Sequence, residues 1–364
     1  MKLHAYTLCV VLVVIFVCMP ATASESSAFK SLNTRISTLY SSEYVRPIVG
    51  GKTVSGRPIY AYAISDYNVA AQSKNRILII SGQHGDEVNP IKAVVSFSEN
   101  LAQGVYPGIL THNLIIVVPV VNPDGLASRT RLNSMGMDIN REWQSLGTSE
   151  NKFVHNIIRL FKPQILIDTH EWFSVPDLPG NGIELAWSSS PVQRKSMAKI
   201  AGRVDGVAGL TQIECRRDSN PALFHRRYSR LGYAAFLLET EPDLPYTKKE
   251  TAYKRAFLTA ITALNSDANL SKRISPASFG WNIANSELVI GNLKGVLPKD
   301  NRNTMLAWSL GPCVVCYVLL LVLKPKKRKI LQKRNWKPAR ENREARERVK
   351  SQELFSKSRY IYRA

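Results

Sequence analysis

Residues 77–87 have the sequence ILIISGQHGDE, and this stretch decides the predicted fold. Ile77 to Ser81 form an apolar run that a glycine closes, which is typical of a buried parallel strand. His84 and Glu87 follow, three positions apart. If the backbone bends like a helix after Gly82, the imidazole and the carboxylate project to one side and can bind one cation.

A second predicted strand supplies the missing ligand. A catalytic zinc site usually has three protein ligands and leaves a fourth position for water. Residues 164–168 form an apolar strand that leads into Thr169-His170-Glu171-Trp172. We therefore predict one zinc ion bound by His84, Glu87 and His170. The alternative is that these histidines only cap helices or form ordinary hydrogen bonds.

A third predicted strand leads into a polar loop. The strand covers residues 113–121 and is followed by the turn-forming sequence NPDG at 122–125. In the loop 126–143, Arg131, Asn140 and Arg141 are candidate site residues. A site that cleaves amide bonds needs a fixed cation for the developing oxyanion and a group that binds a carboxylate. Solvated surface arginines are the alternative interpretation.

The last predicted strand, residues 234–238, ends at a pair of acidic residues, Glu239 and Glu241. A carboxylate at the end of a strand, beside a metal, is what a general base for the activation of water requires.

Helical patterns separate the strands and extend the prediction to the whole domain. Residues 48–62 fit two short strands around a glycine-rich turn. Helices are predicted at 24–42, 90–101, 151–161, 190–209, 222–231 and 247–265. This alternation predicts an α/β fold with a mixed, largely parallel central sheet flanked by helices. The reactive side chains then lie together at one rim of the sheet.

The N-terminal residues 1–23 fit an export signal. Lys2 is followed by an apolar run from Ala5 to Met19, and the small residues Ala21 and Ala23 suit a signal peptidase. We expect cleavage after Ala23, with retention of the segment as an anchor as the alternative.

Residues 305–323 form a predicted transmembrane helix. This stretch has no charged residue over 19 positions, which at about 1.5 Å per residue is enough to cross a hydrocarbon layer of roughly 30 Å. Five lysines and arginines follow within residues 324–329, as on a cytoplasmic flank. The predicted segments are a signal peptide (1–23), a catalytic domain (24–265), an extension or stalk (266–304), a single membrane span (305–323) and a basic cytoplasmic tail (324–364).

The net charge of +21 is concentrated at the C-terminus. Residues 324–364 contain 16 Lys or Arg and 4 Glu, which is +12 of the total. Such a tail is expected to contact anionic lipid headgroups. Its aromatic residues are sparse, so we expect no nucleic-acid partner. Of the five cysteines, only Cys215 lies in the predicted catalytic domain, which excludes a disulfide-stabilised fold there.

Five motifs together resemble the zinc metallocarboxypeptidases of the carboxypeptidase A type, including bacterial murein-peptide amidases. They are HGDE at 84–87, NPDG at 122–125, RLNSMGMDINR at 131–141, DTHEW at 168–172 and FLLET at 236–240. The segment GKTVSGRPI at 51–59 is also similar to the N-terminal hairpin of that family. The resemblance covers about residues 42–265.

The resemblance implies a role for each candidate residue. His84, Glu87 and His170 look like the zinc ligands, and Glu239 is similar to the general base, with Glu241 as a weaker candidate. Arg131 resembles the residue that polarises the scissile carbonyl, with Arg129 as its weaker substitute. Asn140 and Arg141 match the pair that binds the terminal carboxylate of a substrate.

One departure concerns the tyrosine that closes the site in digestive members. Residues 218–221, Asp-Ser-Asn-Pro, occupy its place here, and Tyr228 and Tyr233 are close but displaced. The digestive type of specificity is therefore not expected.

The sequence favours a membrane-tethered zinc peptidase whose domain faces the periplasm or the cell exterior. It would hydrolyse an amide bond next to a free carboxylate, with peptidoglycan peptides (muropeptides) as the favoured substrate. One alternative is a zinc-dependent N-acyl amino acid deacylase, similar to succinylglutamate desuccinylase or aspartoacylase and acting on an acyl-amino acid. The other is a non-catalytic module that binds wall peptides.

Overall fold

The computed structural model describes residues 25–48, 51–70, 73–172, 180–188, 190–214, 217 and 219–267. The predicted signal peptide, stalk, membrane span and basic tail lie outside these ranges, apart from Ser266 and Asp267 at the start of the stalk, and so does Cys215. Among the helices within them, none has the length and apolar character that crossing a membrane requires.

Eight strands of the described residues form one mixed sheet in the order β1-β2-β4-β3-β5-β8-β6-β7. The central strands β4, β3, β5 and β8 run parallel to one another. The pairs β1-β2, β2-β4 and β6-β8 are antiparallel, and β7 pairs parallel with β6. The strands are β1 (Val45–Ile48), β2 (Ala61–Ile64), β3 (Asn75–Ser81), β4 (Asn113–Val118), β5 (Ile165–Glu171), β6 (Gly182–Leu185), β7 (Thr211–Glu214) and β8 (Ala234–Thr240). The predicted α/β sheet is confirmed.

Helices cover both faces of this sheet because its central strands are apolar on both sides. In β3, Ile77 and Ile79 pack in one core cluster and Leu78 and Ile80 in the other, as the two-residue period of a strand requires. The helices are α1 (Ser27–Leu39), α2 (Val88–Ala102), α3 (Pro107–His112), α4 (Pro123–Ser128), α5 (Ser149–Phe161), α6 (Pro191–Ala208), α7 (Phe224–Arg230) and α8 (Tyr246–Ser266). Residues of α1, α2, α6 and α8 belong to the first cluster and residues of α5 and α7 to the second.

Capping side chains mark the start of two of the longer helices, and a glycine marks the end of one of them. Before α6, the side chain of Ser190 accepts a hydrogen bond from the backbone of Gln193, and after it Gly209 adopts φ +67°. Thr148 caps α5 in the same way. Such caps satisfy backbone groups that have no partner inside the helix.

Three differences from the sequence prediction concern the segments around the candidate site. NPDG is not a free turn, because Asn122 caps α4 and residues 123–128 are helical. Strand β4 ends at Val118 instead of Val121. His170 and Glu239 lie within β5 and β8 instead of after them. The last difference sets the site, because these two residues are paired directly across neighbouring strands.

Candidate metal centre

The segment between β3 and α2 is held close to the start of α4. Gly82 adopts φ +67°, a backbone conformation that favours glycine. The backbone N–H of Asn122 donates to the carbonyl of Gly82 at 2.8 Å. The Asn122 side chain donates to the carbonyls of Gln83 at 3.2 Å and Arg131 at 3.3 Å. This buried amide therefore joins the two functional segments that sequence analysis treated separately.

The three predicted ligands converge. One ligand atom each from His84, Glu87 and His170 lie within 4.8 Å of one another. Glu87 Oε1 is 2.6 Å from His84 Nδ1, and Glu87 Oε2 is 2.8 Å from His170 Nδ1. Burial alone would raise the pKa of Glu87, but the two imidazoles outweigh this effect and hold the pKa below its ordinary value. The carboxylate is therefore ionised between two nitrogen ligands.

Asp138 orients the first imidazole. Its Oδ1 lies 3.1 Å from His84 Nε2 and 3.0 Å from the backbone nitrogen of Asn140. Burial would raise the pKa of Asp138, but the hydrogen bond with His84 outweighs it and the pKa lies below its ordinary value, so this carboxylate accepts. With a cation at Nδ1, Nε2 would carry the hydrogen and donate it to Asp138. Such a hydrogen bond fixes both the tautomer and the ring orientation of a metal ligand.

Asp168 and Gln83 surround the second imidazole. His170 Nε2 lies 3.2 Å from Asp168 Oδ2, and Gln83 Nε2 donates to the same oxygen at 2.6 Å. Trp143 Nε1 in turn donates to Gln83 Oε1 at 2.7 Å. These side chains are buried, so the ring has little freedom to rotate away from Glu87.

Glu239 faces this group from the neighbouring strand. Its pKa is raised to about 8: burial raises it most, His170 lowers it, and the Glu184 carboxylate contributes to the rise. A metal cation nearby would favour the ionised form and lower that pKa. Glu241, the weaker candidate, lies past the end of β8, where its backbone N–H donates to Asn181 at 3.1 Å.

Arg131 is at the open side of the group. Its guanidinium contacts Asp138 Oδ2 at 3.1 Å and Glu87 Oε1 at 3.5 Å, and 40% of the side chain is exposed. Arg129, its weaker substitute, is the exposed residue that ends α4 in the left-handed conformation.

The predicted pair Asn140 and Arg141 lies on a single 3-10 turn, residues 139–141. Asn140 is buried, 3.4 Å from His170 Nε2, and accepts from the backbone of Phe224 at 3.3 Å. Arg141 is exposed, and its charge helps to lower the pKa of Asp138. The structure thus places one member of the pair against a ligand and the other towards solvent.

The two displaced tyrosines belong to the interior. Tyr228 is buried, lies 2.9 Å from His155 Nδ1 and packs in the second core cluster. Tyr233 packs against the same cluster. Tyr228 is therefore a core residue of α7, and Tyr233 is a partly buried residue packed beside it.

Sequence analysis missed the residues that hold the ligands: Gln83, Asp138 and Asp168. A local signal existed for two of them, because an aspartate precedes both Asn140 and His170 by two positions. The contacts of Asp138 with His84 and of Gln83 with Asp168 could not be assigned, since they join segments 54 and 85 positions apart in the chain.

The donor set fits zinc. Two imidazole nitrogens and one carboxylate are the ligands of an open catalytic zinc site. Each imidazole also has a carboxylate at its other nitrogen, the arrangement found around zinc-binding histidines.

Residues 34–159 match the family model described as zinc carboxypeptidase. No curated protein matches the chain by sequence.

Solved structures share this fold. The metallo-carboxypeptidase of Burkholderia cenocepacia is 20% identical with a TM-score of 0.55, covering 64% of this chain and 68% of that one. The metallo-carboxypeptidase of Pseudomonas aeruginosa, solved with (2-guanidinoethylmercapto)succinic acid, is 18% identical with a TM-score of 0.53, covering 66% and 68%. Carboxypeptidase A of Helicoverpa armigera is 15% identical with a TM-score of 0.51, covering 68% and 72%.

Proposed function

We propose, from the match of residues 34–159 to the zinc carboxypeptidase model, that the chain belongs to that family and hydrolyses a peptide or amide bond next to a free carboxylate. One observation supports the proposal most strongly. Two imidazoles and Glu87 converge on one point, and Glu239 is paired with His170 on the adjacent strand. A ligand set with a separate carboxylate beside it is the arrangement that water activation requires.

Zinc bound by His84, Glu87 and His170 would polarise a carbonyl and lower the pKa of a water towards 7. Glu239 would accept a proton from the attacking water and pass it to the leaving nitrogen. A base works best when its pKa is near the working pH. The surroundings of Glu239 favour this, since burial raises its pKa and the cation would lower it again.

Arg131, Asn140 and Arg141 would bind the substrate. Arg131 is close to the ligands and partly exposed, so its guanidinium can turn to the oxyanion as negative charge develops there. The exposed Arg141 can form a two-pronged contact with a terminal carboxylate, with Asn140 beside it. The free carboxylate of the substrate would thereby fix which bond reaches the metal.

We further propose that the enzyme is tethered to a membrane and acts on peptidoglycan peptides. The proposal is supported by the sequence of residues 1–23, which fits an export signal, and of residues 305–323, which fits a membrane span followed by basic residues. A domain held outside such a membrane by one span would meet wall peptides continually. Contact of the basic tail with anionic lipid on the cytoplasmic side completes this topology.

The test uses the full-length chain purified in detergent and loaded with zinc. Peptides with a free carboxyl terminus, muropeptides and N-acyl amino acids are offered in parallel, and release of a terminal residue is measured. We expect turnover of the peptides or muropeptides, and a loss of at least 100-fold in kcat for Glu239→Gln with zinc still bound.

The matched control is Glu241→Gln, which changes the same side chain two positions further on and should leave kcat unchanged. Full turnover by the Glu239 variant would remove that residue from the role of base. Turnover confined to N-acyl amino acids would make the protein a deacylase. A chain that binds no zinc and releases no product would not be a hydrolase.

A further inference from the structure

A buried ammonium group contacts Glu171, the residue that follows the predicted ligand His170. Lys249 of α8 is fully buried, which is rare for lysine unless its charge is paired. Its Nζ is paired with the Glu171 carboxylate and donates to the carbonyl of Pro242 at 2.5 Å. Hydrolysis as derived above makes no use of this pair.

The pair joins the segments that supply two of the ligands. Glu171 directly follows His170, and Asn89 comes two positions after Glu87. Asn89 Nδ2 donates to Glu171 Oε1 at 3.0 Å, the oxygen that also accepts from Lys249. The backbone N–H of Glu171 donates to Glu87 Oε2 at 3.0 Å. The position and tilt of the Glu87 carboxylate relative to the His170 ring therefore depend on where Glu171 is held.

Tyr253 forms a hydrogen bond with His170, the residue before Glu171. It lies four positions after Lys249, hence on the same face of α8, and is also fully buried. Its hydroxyl donates to the backbone carbonyl of His170. Because that hydroxyl has one hydrogen, Thr240 must donate to Tyr253 in their 3.0 Å contact. One face of a helix thus binds two consecutive residues at the end of β5.

We propose that Lys249 and Tyr253 are positioning residues that set the geometry and affinity of the metal centre. They act through Glu171 and through the backbone of His170, so that His170 and Glu87 stay at a separation that suits one ion. Residues that orient metal ligands typically change metal affinity about 10-fold to 100-fold when they are lost. The inference rests on the zinc site of the proposed function, but its readouts are metal affinity and ligand geometry.

Two variants of the full-length chain test it. Lys249→Met combined with Glu171→Gln removes both buried charges together, because removing one alone would leave the other unpaired. Tyr253→Phe removes a single hydroxyl. For both we expect zinc affinity at least tenfold weaker and an altered visible absorption spectrum of the Co²⁺-substituted protein. Far-UV circular dichroism should be unchanged.

The control is Lys254→Met on the same helix, which removes the more exposed pair with Glu250 and should alter neither readout. Wild-type zinc affinity and Co²⁺ spectrum in both folded variants would overturn the inference. If the double variant does not fold, Tyr253→Phe decides alone by the same criteria. Wild-type protein that binds no zinc would refute the proposed function, whereas equal binding by wild type and variants refutes only this inference.

Discussion

Gly85→Ala should disrupt the metal centre, because the added methyl group would overlap with backbone atoms of α4. A Cβ at position 85 would lie 1.9 Å from the carbonyl carbon of Gly125 and 2.2 Å from the nitrogen of Leu126. Both are backbone atoms of α4, so no side chain can move aside. Gly85 is not among the glycines with positive φ, so alanine introduces no dihedral strain and the effect is steric alone.

The displacement can be estimated from the structure. Ordinary contact begins at 3.4 Å, so the two segments must separate by about 1.5 Å (3.4 minus 1.9). This would also stretch the hydrogen bond from the Gly85 N–H to the carbonyl of Thr130, now 3.0 Å, and move the adjacent His84. Overpacking of this kind costs about 1–3 kcal/mol of unfolding free energy. A ligand displaced by about 1 Å would cost roughly 100-fold in turnover.

The assay is urea unfolding together with a zinc titration of the full-length chain. Gly206→Ala in α6 is the control, because a Cβ there meets nothing within 4 Å. Alanine inside a helix should raise the unfolding free energy by about 0.5–1 kcal/mol. If Gly85→Ala matched the wild type in stability and zinc affinity, the close approach of the two backbones would be refuted.

Three further predictions concern proton linkage, ligand orientation and the core. Burial disfavours a charged His170, but Asp168 and Glu87 raise its pKa well above the ordinary value; a proton must therefore leave before zinc binds, and affinity should fall about tenfold per unit of pH lowered below that pKa. Calorimetry in buffers of different ionisation enthalpy measures the released proton, and affinity independent of pH would contradict the prediction. Asp138→Asn should weaken zinc binding at least about tenfold, because the acceptor for His84 loses its charge, and an unchanged dissociation constant would contradict it. Phe257→Ala in the first core cluster should lower the unfolding free energy by about 3–5 kcal/mol, whereas Val207→Ala, where the valine is 51% exposed, should stay within about 0.5 kcal/mol; similar losses would place Phe257 outside the core.

The local sequence pattern was sufficient to predict the central strands, the main helices and the three metal ligands. A continuous apolar run predicted β3, because a strand that is buried on both faces needs apolar residues at successive positions. The helical period predicted α2, because burial of one helix face imposes that spacing on the sequence. The rule that parallel strands present their ends at one rim of the sheet predicted that His84 and His170 lie close together. The exact ends of β5 and β8 were missed, since hydrogen bonds to neighbouring strands extend them past the last apolar residue.

The fold class and the three converging ligands could be predicted from the sequence, because apolar runs and the reactive residues at their ends are local signals. The groups that hold those ligands in place became known from the packed structure. Asp138 reaches His84 across 54 positions, and Lys249 reaches Glu171 across 78. A polar side chain leaves no periodic trace of its partner in the sequence, so such contacts become apparent only once the packed elements fix the distances between them.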